Sequence, residues 1–299
     1  GEAGPSSASP LAEKLQVSVV LTGVFACLLA MGTSLAIGPA SINKIAVFKE
    51  LIDRLPFIAV DSGLSPIHKS VIWEVRFPRI LLGGLVGSTL AVSGASYQAV
   101  FRNPLADPYL LGAAAGAGLG ATVAIVSGFG DGIGAFDMVP VLAFLGAMSA
   151  VVMTYFLGYS SGARRSPSAL LLAGVAVAAF LTAIQTFIQQ QNVDSIRQVY
   201  SWILGRLNTA SWTEVKLLAP YALVATLVML LSRRTLDVMR LGDTEASSVG
   251  LRPQVVRFLV IAAASLGTAA SVSVSGLIAF VGIIVPHLSL IHISEPTRL

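Results

Sequence analysis

Residues Arg76–Gly120 read RFPRILLGGLVGSTLAVSGASYQAVFRNPLADPYLLGAAAGAGLG, and the change of character along this stretch decides the fold. Arg79 to Phe101 carries no charge after its first residue, and these 23 residues would reach roughly 34 Å as a helix, enough to cross a hydrocarbon core. Asn103-Pro104 and Asp107-Pro108 then interrupt helix propagation twice, because proline lacks an N–H and pushes its predecessor out of the α region. Gly112, Gly116 and Gly120 follow at a spacing of four. That spacing predicts a second span with three side-chain-free positions on one face, where another backbone can come close.

Composition outside this stretch agrees. The 299 residues are 55% hydrophobic and 11% charged, with a mean hydropathy of +0.82, far from a soluble domain with about 25% charged residues. The chain reads as an all-α, polytopic transmembrane protein. Its net charge of +4 fits loop Lys and Arg facing anionic headgroups, and no nucleic-acid partner is expected. The single cysteine, Cys27, lies in an apolar run and reads as a small core residue.

In chain order, residues 1–14 form a small, polar, proline-containing tail expected to be disordered, and 15–288 a transmembrane domain. Val17–Ile37 is a first span, read as a retained anchor in preference to a cleaved leader. Residues 38–75, with Lys44, Lys49, Glu50, Asp53, Arg54, Asp61 and Lys69, read as a long loop outside the bilayer. After the two spans of the opening stretch come spans at Val139–Leu157, Ala169–Ile188, Trp212–Leu231 and Val255–Val274. An amphipathic piece is expected at Ile196–Leu204, and a short eighth span from Gly276, broken at Pro286. Eight spans are visible. Lys and Arg divide evenly between the two sides, so the positive-inside rule leaves orientation open.

The chemistry is sparse. All 15 acidic residues fall in loops, turns or span ends, which argues against proton-coupled carriers that need an intramembrane carboxylate. His68 and His292 are peripheral, His287 reads as a helix-end residue, and none has partners at metal-ligand spacing, so no metal site is expected. No G-x-x-x-x-G-K-[ST] loop is present, so ATP-driven work would need an ATPase on another polypeptide. Arg76 and Arg79 either snorkel to headgroups or form a docking patch for acidic side chains. Thr182, Gln185, Thr186 and Gln189 share one helix face and either bond to neighbouring helices or line a wet pathway. Leu241–Leu251 (LGDTEASSVGL) reads as a short helix, too short to be stable without a partner.

Arg76-Phe-Pro-Arg79, Ser93-Gly94-Ala95, Gln98, Asn103-Pro-Leu-Ala-Asp-Pro108, Leu111-Gly112 and Leu241–Leu251 together resemble the permease subunits of bacterial ABC importers for iron-siderophores, haem and vitamin B12, the FecCD-like family. The resemblance covers about residues 15–288. It implies ten spans with both termini in the cytoplasm, and a location in the bacterial cytoplasmic (inner) membrane. The implied partners are a second permease subunit, forming a homodimer, a cytoplasmic ABC ATPase dimer that carries ATP and Mg, and an extracytoplasmic substrate-binding protein. The chain itself would be no enzyme and bind no cofactor. Docking of the binding protein falls to Arg76 and Arg79, the cytoplasmic gate to Asn103, Leu105, Ser166, Pro167 and Ser168, and the pathway lining to Thr182, Gln185, Thr186 and Gln189. ATPase coupling falls to Leu241, Gly242, Asp243, Glu245, Ala246, Val249 and Gly250. Pro167 is less typical of the family's gate. After Val285-Pro286-His287 the family pattern continues through two further spans, whereas residues 289–299 read as a non-native or truncated tail. Import of another metal complex, or a membrane scaffold that transports nothing, are the competing readings.

Overall fold

The computed structural model describes residues 10–38, 40, 42–54, 60–129, 137–160 and 167–294. Two compact units divide at Leu81/Leu82.

The amino-terminal unit begins with α1 (Pro10–Ala36), so residues 10–14 of the expected tail are helical and residues 1–9 lie outside the described residues. The segment 38–75, expected to be a loop, instead carries α2 (Lys44–Asp53), α3 (Pro66–Ser70) and a π-helical turn at Val71–Arg76 leading into α4 (Phe77–Phe101). The start signals are local. Asn43 accepts from Ile45 N at 2.9 Å, and Ser65 caps α3 with Pro66 in its first turn, where the missing N–H costs nothing. Burial of Leu35, Ile42, Val47 and Ile72, flanked by Trp73 and Phe77, then gives these short helices a core. Their charged residues concealed this pattern in the sequence. Cys27 is exposed, a correction to its expected place in the core, because this part of α1 offers only an outward apolar surface.

In the second unit, α4 ends at Phe101 and a 3₁₀ turn (Pro108–Leu111) leads into α5 (Ala113–Val126). Next come α6 (Met138–Ser160), α7 (Pro167–Gln191), the amphipathic α8 (Ile196–Ile203) and α9 (Trp212–Leu231). The order closes with α10 (Arg233–Leu241), α11 (Asp243–Ser248), α12 (Pro253–Ser275) and α13 (Val281–Ser294). Among the described residues, five helices are long and apolar enough to cross a membrane: the continuous Pro66–Phe101, α6, α7, α9 and α12. Leu21–Ala36 and α5 are shorter apolar helices. Pro286 sits inside α13, so the expected break there does not occur, and His287 lies within the helix, not at its end.

The core centres on α12, which packs against α5, α6 and α9. Its AAASLGTAAS run lets neighbours approach closely, and Thr268 Oγ1 donates to Ala264 O at 2.7 Å, so a buried hydroxyl does not go unpaired. The glycine spacing in α5 works as expected at two of its three positions. A Cβ on Gly116 would lie 2.2 Å from Gly146 O, and one on Gly120 2.0 Å from Leu142 O, so α5 and α6 meet backbone to backbone. Gly112 departs from the expected face: at φ +82° it forms the left-handed entry to α5.

Candidate functional site

The turn between α4 and α5 forms one half of the site. Its first residue, Arg102, adopts φ +52° while Asn103 N donates to Gln98 O at 3.2 Å, a helix stop usually built on glycine. Holding arginine there costs about 1–3 kcal/mol. Asn103 Oδ1 accepts from Leu105 N at 3.0 Å, which fixes the turn and leaves Leu105 68% exposed. Asp107 Oδ1 accepts from Tyr109 N at 2.6 Å and caps the 3₁₀ turn, and Tyr109 Oη donates to Ile278 O at 2.9 Å. A cavity of about 570 Å³ opens beside the turn, lined by Gln98, Arg102, Asn103, Pro104, Arg240 and Pro286.

The segment from α10 to α12 forms the other half. Gly242, at φ +145°, separates α10 from α11. The short α11 stops in a paired motif: Leu251 N donates to Ala246 O at 3.1 Å and Gly250 N to Ser247 O at 3.0 Å, with Gly250 left-handed at φ +83°. Ala246 is fully buried against this chain, whereas Leu241 and Val249 are 74% and 66% exposed. Leu241, Glu245 and Val249 therefore face outward, and Ala246 does not.

Asp243 joins the halves. Arg257 Nη2, from the first turns of α12, donates to its two carboxylate oxygens at 3.1 and 3.0 Å, and Arg102 Nη2 donates to Oδ1 as well. Burial pushes the Asp243 carboxyl up, but the Arg257 guanidinium and then Arg102 outweigh it and leave the group below the usual carboxylate range. Sequence reasoning missed both arginines. Arg257 carried the better signal, as the only charge in Val255–Ser275, and it is 95% buried with its Nε unpartnered among the described residues.

The other expected site residues distribute as follows. Within the amino-terminal unit, Arg76 is buried, with Nη1 donating to Leu35 O at 2.9 Å and Nη2 to Ala40 O at 2.7 Å, while Arg79 is half-buried. Glu50, also missed, anchors that unit: Ser62 Oγ at 2.6 Å, Trp73 Nε1 at 3.1 Å and Lys69 Nζ at 3.1 Å converge on its buried carboxylate. Burial pushes this carboxyl up as well, yet those bonds outweigh it and hold the group below its ordinary value. On α7, Gln185 is buried beside Gly118 of α5, while Thr182 and Thr186 are exposed and Gln189 is half-buried. The polar face is thus divided between packing and an open side. Ser166 lies outside the described residues, Pro167 opens α7 and Ser168 is exposed. Among the described residues, no group of three or more His, Cys, Asp or Glu could hold a metal.

A bundle of apolar helices with a short polar helix fastened beside a helix break defines an all-α, multi-pass membrane protein. The chain belongs to the FecCD transport family, which matches residues 26–298. It is 35% identical over 226 residues to an uncharacterized ABC transporter permease protein, YvrB, of Bacillus subtilis, covering 75% of this chain and 64% of that one. It is 38% identical over 226 residues to the cobalamin import system permease protein BtuC of Halobacterium salinarum, covering 75% and 60%. The chain thus matches less than two thirds of the length of these two relatives. A solved metal-chelate type ABC transporter in an inward-facing conformation superposes with a TM-score of 0.76 at 26% identity, covering 92% of this chain and 81% of that one.

Proposed function

We propose that the protein is the permease subunit of an ATP-driven importer in the bacterial cytoplasmic membrane, moving an iron-siderophore complex, haem or cobalamin. Two copies would work with a pair of cytoplasmic ATPases, which hold ATP and Mg, and with an external binding protein. The observation that carries this reading is the segment around α11: this six-residue helix lies between Gly242 and Gly250, and Leu241 and Val249, just outside its two ends, face outward, a knob that another protein would cover. Family membership supports an ATPase as that partner. The cobalamin and metal-chelate relatives favour a bulky metal complex as cargo. Neutral amides and hydroxyls on α7 would let such a cargo pass without holding it.

The test is co-purification. Leu241→Asp and Val249→Asp together should release the ATPase while leaving the permease folded, because both side chains are exposed. Retention of the ATPase by the double variant would exclude α11 as the coupling element.

A further inference from the structure

We propose that Arg102 and Asp243 form a mechanical joint that makes the α4–α5 turn move together with α11. This rests on the reading of α11 as the ATPase-coupling element and adds how its motion would reach the gate residues Asn103 and Leu105. Three observations carry it. First, one carboxylate is shared by two guanidinium groups from separate elements, the end of α4 and the start of α12, 141 and 14 residues away in sequence. Secondly, Arg102 keeps a left-handed backbone that glycine would adopt without strain, so something other than local conformation accounts for an arginine there. Thirdly, the two links differ in kind. The Arg257 side chain is 7% exposed and fixed to α12, whereas the Arg102 side chain is 39% exposed and reaches Asp243 from the α4–α5 turn. Arg257 and Asp243 therefore seat α11 on the bundle. Arg102 adds the gate turn to that seat, through a half-exposed bond that can re-form when both parts move.

The experiment isolates the Arg102 link and leaves the buried one intact. With the exposed Cys27 replaced by serine, spin labels are placed at Leu105 on the turn and Ser248 on α11, both exposed. The protein is studied with and without the proposed partner ATPase. The parent should show one narrow label-to-label distance, unchanged when ATPase and a non-hydrolysable nucleotide are added. Arg102→Gly should keep the parent's thermal stability or exceed it, yet broaden that distance at least twofold, and Arg102→Lys should restore it. A narrow, parent-like distance in Arg102→Gly would overturn the joint. So would an unfolded Arg102→Gly protein, since that would make Arg102 a structural residue. If ATPase addition fails to immobilise the Ser248 label, the coupling reading fails by itself, and the resting-state distances still decide the joint.

Discussion

Arg76 is buried in the amino-terminal unit. Its motif marks the family, but its guanidinium holds two main-chain carbonyls inside the amino-terminal unit. Hydrogen bonds to a charged group contribute about 1.5–3 kcal/mol. Arg76→Ala should therefore lower the melting temperature of the protein, whereas Arg79→Glu should leave it unchanged and reduce binding-protein-stimulated ATP hydrolysis; differential scanning fluorimetry beside an ATPase assay separates the two. Glu50 and Asp243 make the matching prediction for pH. Both carboxyls sit below their unfolded values in the folded chain. Their stabilisation is thus complete above about pH 4.3, the ordinary glutamate value, and is lost as pH falls through the lower folded values. Glu50→Gln should flatten the acid limb of the stability curve; an unchanged limb would mean other groups set it.

At the scale of elements, the glycines of α5 differ sharply from others nearby. A Cβ on Gly116 meets a backbone oxygen, which cannot step aside, whereas one on Gly83 of α4 meets nothing within 4 Å. Gly116→Val should destabilise by about 1–3 kcal/mol or more through overpacking, and Gly83→Ala should be neutral or slightly stabilising; denaturant titration of both variants checks the pair. The elements were legible wherever one local signal sufficed. Trp212–Leu231 has the bounds that its apolar run gave, and the amphipathic helix from Ile196 ends one residue short of expectation. The segment 38–75 was not legible, because Lys44, Lys49, Glu50 and Asp53 masked two helix starts at Asn43 and Ser65. Pro286 read as a break, yet α13 runs through it as α9 runs through Pro220, so proline alone did not decide. The Arg102–Asp243–Arg257 cluster was beyond reach, since its members come together only once α4, α11 and α12 are in place.

At the scale of the molecule, the family was legible because its markers are strings of adjacent residues, and the site was only half legible because its working contacts are not. Within 241–251, where the sequence led to the expectation of a coupling helix, Ala246 is buried while Leu241 and Val249 are exposed. Import of a metal chelate is the proposed function, and growth depends on it directly. In a strain lacking its own permease, expression of the protein with its ATPase and binding protein should restore growth on at least one member of a panel of iron-siderophores, haem and cobalamin. The Leu241→Asp, Val249→Asp variant should restore none. Growth restored equally by the parent and that variant, or no rescue by the parent on any chelate although it reaches the membrane and holds its ATPase, would contradict the account.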